Sequence, residues 1–267
     1  MHGTDIRLAR LFDDASGRSL ITAYDHGQSF PLGARSGPPR RTLEQIVAGG
    51  PEGVLLTPGM LAQHADLFAR RGAPSVVLRA DWTLLDEPDK HELGERYRVL
   101  VDPAEAVALG ADAIVMYLIA RPTDGGMFAD NVAAVAKAAQ QASRAGIPLI
   151  VETTLWGLRN EDRKDPERLA TVSRIAAELG AHAIKTEYVG DPDVQRGIVE
   201  TVGDLPVLTL GGARGDDEAV AAAAEGAIAS GARGLIFGRN IWQADDIVAT
   251  TRRLSAVTHG RTEDDAR

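Results

Sequence analysis

Cysteine is absent from the 267 residues of this chain. Its absence excludes a disulfide scaffold, thiol catalysis and zinc–thiolate centres. Long apolar runs are missing as well: nothing approaches the roughly 20 residues of a membrane span. The opening Met1-His2-Gly3-Thr4-Asp5 lacks the basic and apolar regions of a signal peptide. Positive charge is scarce. The 29 Lys and Arg face 38 acidic residues for a formal charge of −9, and they form no continuous stripe, so neither nucleic acid nor a membrane is an expected partner. A cytoplasmic location is expected. The six histidines are scattered, with no His-x-x-x-His or Glu-x-x-His pair, so no metal and no cofactor is expected.

What is present is a repeating pattern. Short runs rich in Val, Ile and Leu alternate with alanine-rich amphipathic stretches. Eight runs read as strands: Ser19–Tyr24, Gly53–Leu56, Ser75–Asp81, Ala113–Leu118, Pro148–Thr154, His182–Thr186, Pro206–Leu210 and Gly234–Phe237. Several are apolar without polar alternation, as expected of strands covered by helices on one side and filled by side chains on the other. Gly110-Ala111-Asp112, Gly180-Ala181-His182 and Gly231-Ala232-Arg233 each close a helix and open a strand, glycine permitting the left-handed cap. Eight such units in this length predict an α/β fold, a single (β/α)8 TIM barrel over residues 1–258 with a polar tail over 259–267; a doubly wound sheet is the alternative.

In a TIM barrel the chemistry lies at the carboxyl ends of the strands. The four lysines narrow the search there. Lys90, Lys137 and Lys164 sit in polar or helical stretches, where a solvated ammonium is expected. Lys185 lies near the end of the mainly apolar run Gly180–Thr186, where desolvation favours the neutral, nucleophilic amine that imine chemistry requires. A snorkelling lysine or an ion pair is the plainer alternative. Glu152 interrupts Pro148–Thr154, so it is expected inside the barrel as a proton shuttle or a partner of Lys185. Asp25 and His26 follow the first strand, Arg79 and Asp81 end the third, and Thr154 ends the fifth. Asp25 also fits a plain turn, and His26 fits a relay, a structural or a lining role. After the last two strands, Gly211-Gly212 and Gly238-Arg239 let backbone N–H groups approach an anion and predict a phosphate cradle. His182, three residues before Lys185, is expected on the outer face.

Together these residues resemble the archaeal-type class I aldolases of the DeoC/LacD group, from about Leu20 to Trp242. Tyr24-Asp25-His26-Gly27 is similar to the family's first-strand motif. Ile184-Lys185-Thr186 with Tyr188 and Gly190-Asp191 is similar to its Schiff-base strand. Gly211-Gly212 and Gly238-Arg239-Asn240-Ile241 are similar to its phosphate loops. The resemblance implies that Lys185 forms the imine and that Asp25 is an active-site carboxylate. It implies a phosphorylated ketose or dihydroxyacetone phosphate plus an aldehyde as substrates, and a homo-oligomer, commonly a decamer. Relatives often end the fifth strand in a Tyr-Pro-Arg-Gly-like turn with an acid/base tyrosine; here the stretch is Thr154-Leu155-Trp156-Gly157. Glu152 is similar to a strand-five glutamate of related enzymes and takes the tyrosine's role in this reading, with Tyr117 in reserve. His26, Thr154 and Asp81 join the glycines and Arg239 as expected substrate contacts. A transaldolase-like or thiolase-type synthase, or a non-catalytic sugar-phosphate-binding barrel, are the other readings. Aldehyde specificity is expected from the segments Gln28–Arg40, Trp82–Val99 and Arg121–Phe128, with Arg35, Arg79, Arg121 and Arg214 as candidates for a second anion.

Overall fold

The computed structural model describes residues 2–29, 37–85 and 87–261. Most of the Gln28–Arg40 segment, Arg35 included, lies outside the described residues, as do residues 262–267 of the expected tail. The strands are β1 (Ser19–Tyr24), β2 (Gly53–Leu56), β3 (Ser75–Arg79), β4 (Asp81–Thr83), β5 (Tyr97–Val99), β6 (Ala113–Ile119), β7 (Leu149–Thr154), β8 (Ala183–Glu187), β9 (Val207–Leu210) and β10 (Gly234–Phe237). Eight of them close a parallel barrel in the order β1-β10-β9-β8-β7-β6-β3-β2, as expected of a TIM barrel.

The acidic excess has a structural use. Asp102, Asp124, Asp165, Asp191, Asp216 and Asp246 each cap a helix, their carboxylates accepting first-turn N–H groups. Such caps satisfy donors that the helix itself cannot, and each is worth about 1 kcal/mol. In three of the same helices, proline follows the cap directly, at Pro103, Pro166 and Pro192, where its fixed φ suits the first helical residue.

Three elements depart from expectation. The third strand ends at Arg79, and Asp81 instead opens a two-stranded antiparallel ribbon of β4 and β5. A helix at Glu87–Leu93 lies between them. At the other end of the barrel, the helix His2–Ala9 leads into Leu11, which is buried among interior residues with Leu8 and Phe12 against it. The expected tail also begins later: the last helix runs to His259, which is buried and hydrogen-bonds Ser16 at 2.7 Å, and Arg261 pairs with Asp13. Among the described residues no helix is long and apolar enough to cross a membrane.

The barrel interior follows from strand periodicity. Alternate residues of one strand share a face, and Ile21, Leu55, Val77, Val115, Ile150, Ala183, Leu208 and Ile236 form one buried apolar cluster. Continuing each strand by one or two such steps reaches Asp25, Arg79, Tyr117, Glu152 and Lys185. A charged layer therefore lies directly above an apolar plug, and the register sets Tyr117 beside Glu152 and Glu152 beside Lys185.

Candidate active site

The charged layer turns on Arg79. Its guanidinium is buried, with Nε donating to Asp25 at 2.9 Å, one terminal nitrogen to Glu152 at 2.5 Å, and the other 3.5 Å from Asp81. It also lies over the Tyr117 ring, 3.8 Å from the centroid, a cation–π contact in a desolvated setting. Lys185 Nζ is 2.8 Å from the other oxygen of Glu152. Both oxygens of Glu152 therefore face a cation.

Charge balance orders the protonation states. Two cations, Arg79 and Lys185, meet three carboxyls, Asp25, Asp81 and Glu152. Burial pushes the Asp81 carboxyl up to about 7, against the pull of Arg79 and of the Tyr117 N–H it accepts at 2.6 Å. Burial also opposes ionisation of Asp25, but Arg79, then His26 and Lys185, outweigh it and hold Asp25 at about 2. Asp81 thus keeps a proton far more easily than Asp25. His26 is pushed down to about 4, chiefly by burial and further by Lys185 and Arg239, although Asp25 pulls the other way. It is a neutral imidazole at neutral pH, with Nδ1 3.5 Å from Asp25 and its ring edge-on to Trp242.

Above this layer opens a cavity of about 520 Å³ whose wall carries Lys185, Glu152, His26, Gly211, Gly212, Gly238 and Arg239. The two glycine loops are built for close approach. Gly212 has φ +65, the left-handed region. A Cβ at Gly238 would overlap the His26 ring and sit 2.9 Å from the Ala23 carbonyl oxygen, and one at Gly211 would meet the Phe237 ring at 2.8 Å. Asn240 staples the loops together, donating to the Gly211 carbonyl at 2.7 Å and accepting from the Gly215 N–H at 3.0 Å.

Other expected site residues lie elsewhere. Asp81 is fully buried beneath the cavity, its carboxyl turned to Arg79 and the Tyr117 N–H; the ribbon that begins at Ala80–Asp81 carries it off the barrel wall. Thr154 shares the face of Glu152 but is fully buried and does not line the cavity. Tyr117 lies behind Arg79, and burial pushes its phenol well above the usual value. Asp25 faces a neighbouring cavity of about 690 Å³ that also touches Tyr24, Gln28 and Trp242, and His26 borders both. His182 accepts the Leu149 N–H at the base of the barrel, away from Lys185.

The site also contains residues that the sequence reading passed over. Lys90, expected in solvent, is buried; its ammonium donates to the Trp156 carbonyl at 2.9 Å and borders the cavity, as do Arg163 and Lys164. Arg79 was legible as a charge ending an apolar strand, though not as the centre of the layer. Glu187 lies two residues beyond Lys185, on the same face, where an alternation count carried one residue past Thr186 would have found it.

Comparison with known proteins gives this arrangement its kin. Residues 19–244 match the family model described as DeoC/LacD family aldolase. The fructose-bisphosphate aldolase class 1 of Thermoproteus tenax is 32% identical over 91% of this chain and 90% of its own length. The 2-amino-4,5-dihydroxy-6-oxo-7-(phosphonooxy)heptanoate synthase of Streptomyces griseus is 29% identical over 95% of this chain and 89% of its own. The structure of an archaeal fructose-1,6-bisphosphate aldolase, with its catalytic Lys covalently bound to the carbinolamine intermediate, superposes with TM-score 0.81 at 28% identity, covering 96% of this chain and 99% of that one. With a matching family model over most of its length, the same barrel and a buried lysine at the cavity wall, this chain belongs to the DeoC/LacD aldolase family.

Proposed function

We infer that the protein is a class I aldolase that forms an imine between Lys185 and a phosphorylated ketone, making or breaking a carbon–carbon bond beside that ketone. One observation carries the reading: Lys185 Nζ lies 2.8 Å from Glu152 at the wall of a cavity that also carries Gly211, Gly212 and Gly238. Nucleophile, base and anion cradle thus share one space.

Glu152 takes the proton of the Lys185 ammonium, and the amine adds to the ketone carbon. The ketone's phosphate rests on the loop N–H groups and Arg239. The ketone oxygen takes one proton from the adding nitrogen and a second from Glu152, so that water leaves and the iminium remains. That cation withdraws the electron pair of the bond between its α-carbon and the next, hydroxyl-bearing carbon, which breaks as that hydroxyl gives its proton to a carboxylate of the cavity wall. The aldehyde departs and leaves an enamine on Lys185. Asp25, ionised and held by Arg79, supplies fixed negative potential beside the iminium. Synthesis is the same sequence in reverse. Dihydroxyacetone phosphate is one ketone phosphate that fits this scheme.

Relatives at similar distance carry different names, one a fructose-bisphosphate aldolase and one a synthase of a phosphonooxy oxo-heptanoate. The ketone phosphate end of the substrate lies with Lys185 and the glycine loops in this reading. The aldehyde half lies against Leu85, Pro88, Lys90, Trp156, Arg163 and Lys164.

Borohydride reduction in the presence of dihydroxyacetone phosphate tests the reading. A stable mass increment on Lys185, absent in Lys185→Met, is expected. An unlabelled Lys185 leaves a sugar-phosphate-binding barrel as the better account.

A further inference from the structure

We propose that Glu187 is a second catalytic carboxyl of this site, exchanging a proton with the oxygen of the aldehyde half of the substrate while Glu152 serves Lys185. The proposal rests on the aldolase reading above.

The placement comes from the barrel itself. Glu187 closes β8 two residues beyond Lys185, so both side chains enter the interior, with Glu187 one layer nearer the mouth. The register pairs Glu152 with Lys185 and Thr153 with Thr186, so its continuation sets Glu187 beside Thr154. Thr154 stands where the resemblance puts the acid/base tyrosine that relatives often carry. Glu187 is buried, yet it lines the same cavity as Lys185, Glu152, Lys164 and Arg239. Its Oε1 accepts the Trp156 indole N–H at 3.2 Å, which fixes the carboxyl against the wall.

Glu152 is already engaged one layer deeper than Glu187. Its two oxygens are held by Lys185 and Arg79, one each. The reaction needs proton exchange at two separate oxygens: the ketone oxygen lost as water, and the aldehyde oxygen that becomes a hydroxyl. During condensation the enamine carbon attacks the aldehyde carbon and a new C–C bond forms. The carbonyl π pair moves onto the aldehyde oxygen, which takes the proton of Glu187, while the nitrogen becomes an iminium. Cleavage returns that proton to Glu187. Burial, with Glu152 adding to it, raises the Glu187 carboxyl above the ordinary glutamate range; the Trp156 N–H, Lys164 and Lys185 pull it down. A carboxyl so placed keeps its proton to a higher pH than a solvated one and gives it up to a developing alkoxide.

Glu187→Gln separates the two roles, because the amide oxygen still accepts the Trp156 N–H and the group no longer exchanges a proton. Labelling of Lys185 by dihydroxyacetone phosphate and borohydride should stay within about threefold of wild type. Condensation of dihydroxyacetone phosphate with the fastest aldehyde of a panel should fall by about 10²–10⁴-fold, the range of general acid–base catalysis. In a second variant, Trp156→Phe, the pH limb of condensation should move upward, because one of the groups lowering the Glu187 carboxyl is gone; a merely structural glutamate would leave that limb in place. Condensation by Glu187→Gln within about threefold of wild type overturns the proposal, as does an equal loss of labelling and condensation. Wild-type protein that is never labelled overturns the aldolase reading, and this proposal with it.

Discussion

Replacing Arg79 with methionine gives the sharpest test of the charged layer. Methionine keeps an apolar stem at the barrel wall but lacks the guanidinium, so the charge and the contact over the Tyr117 ring are lost together. Asp25 and Glu152 then lose their shared counter-ion in a buried setting. Removing one partner from a buried ion pair costs about 3–5 kcal/mol, because the survivor's charge is left uncompensated. Against a total stability of about 5–15 kcal/mol that is a large fraction. Urea unfolding should show a lower midpoint at unchanged slope.

The loss should carry a pH signature. Asp25 is held at about 2 against an ordinary 3.8, and a depressed carboxyl contributes stability that is present above the unfolded value and lost as pH falls through the folded one. The difference of nearly two pH units corresponds to about 2 kcal/mol. Without Arg79 most of that contribution disappears, so the gap between wild type and variant should narrow as pH falls from about 4 towards about 2. Adding Asp25→Asn to Arg79→Met should recover part of the loss, by removing one uncompensated charge. A cost under about 1 kcal/mol at neutral pH, with no change in the gap on acidification, would refute the hub assigned to Arg79.

Labelling of Lys185 and the two-part behaviour of Glu187→Gln are set out above; two further outcomes follow from the same geometry. Gly238→Ala should destabilise the protein by about 1–3 kcal/mol and weaken dihydroxyacetone phosphate binding, since its Cβ would collide with the His26 ring and the Ala23 carbonyl; unchanged calorimetric affinity would contradict the close-approach argument. His26→Gln should flatten the stability profile between about pH 6.5 and about pH 4. A histidine held neutral down to about 4 costs stability as pH falls through that window, because the unfolded chain takes up the proton first. Parallel wild-type and variant profiles in thermal melts across the window would refute it.

Much of this architecture was legible in the amino-acid order because the barrel is built from local signals. Apolar strands and glycine helix ends act within a few residues of themselves. Lys185 and Glu152 stood out because each breaks an apolar run whose alternation gives its direction. What escaped depended on distant pairing. Asp81 was read as a continuation of β3 because only the partner strand, Tyr97–Val99, reveals that the chain has left the barrel. Lys90 reads as a solvated charge in sequence because its partner, the Trp156 carbonyl, is 66 residues away. Arg79 was visible as a charge, but its three carboxyl neighbours come from the turn after β1, from β7 and from the start of the ribbon. Glu187 was lost to a boundary drawn one residue short.

The apolar plug beneath the charged layer has a consequence for proton traffic. Ile21, Val77, Val115, Ile150, Leu208 and Ile236, backed by Leu11, separate the ionisable groups from the base of the barrel. Water and hydronium therefore do not reach these groups from below; they come from the mouth or from the cavity beside Asp25. In the proposed reaction, a ketone phosphate on the glycine loops with an aldehyde above it displaces water from the mouth. A proton taken from a substrate hydroxyl is then held most directly by Glu152 or Glu187 and handed back before the product leaves.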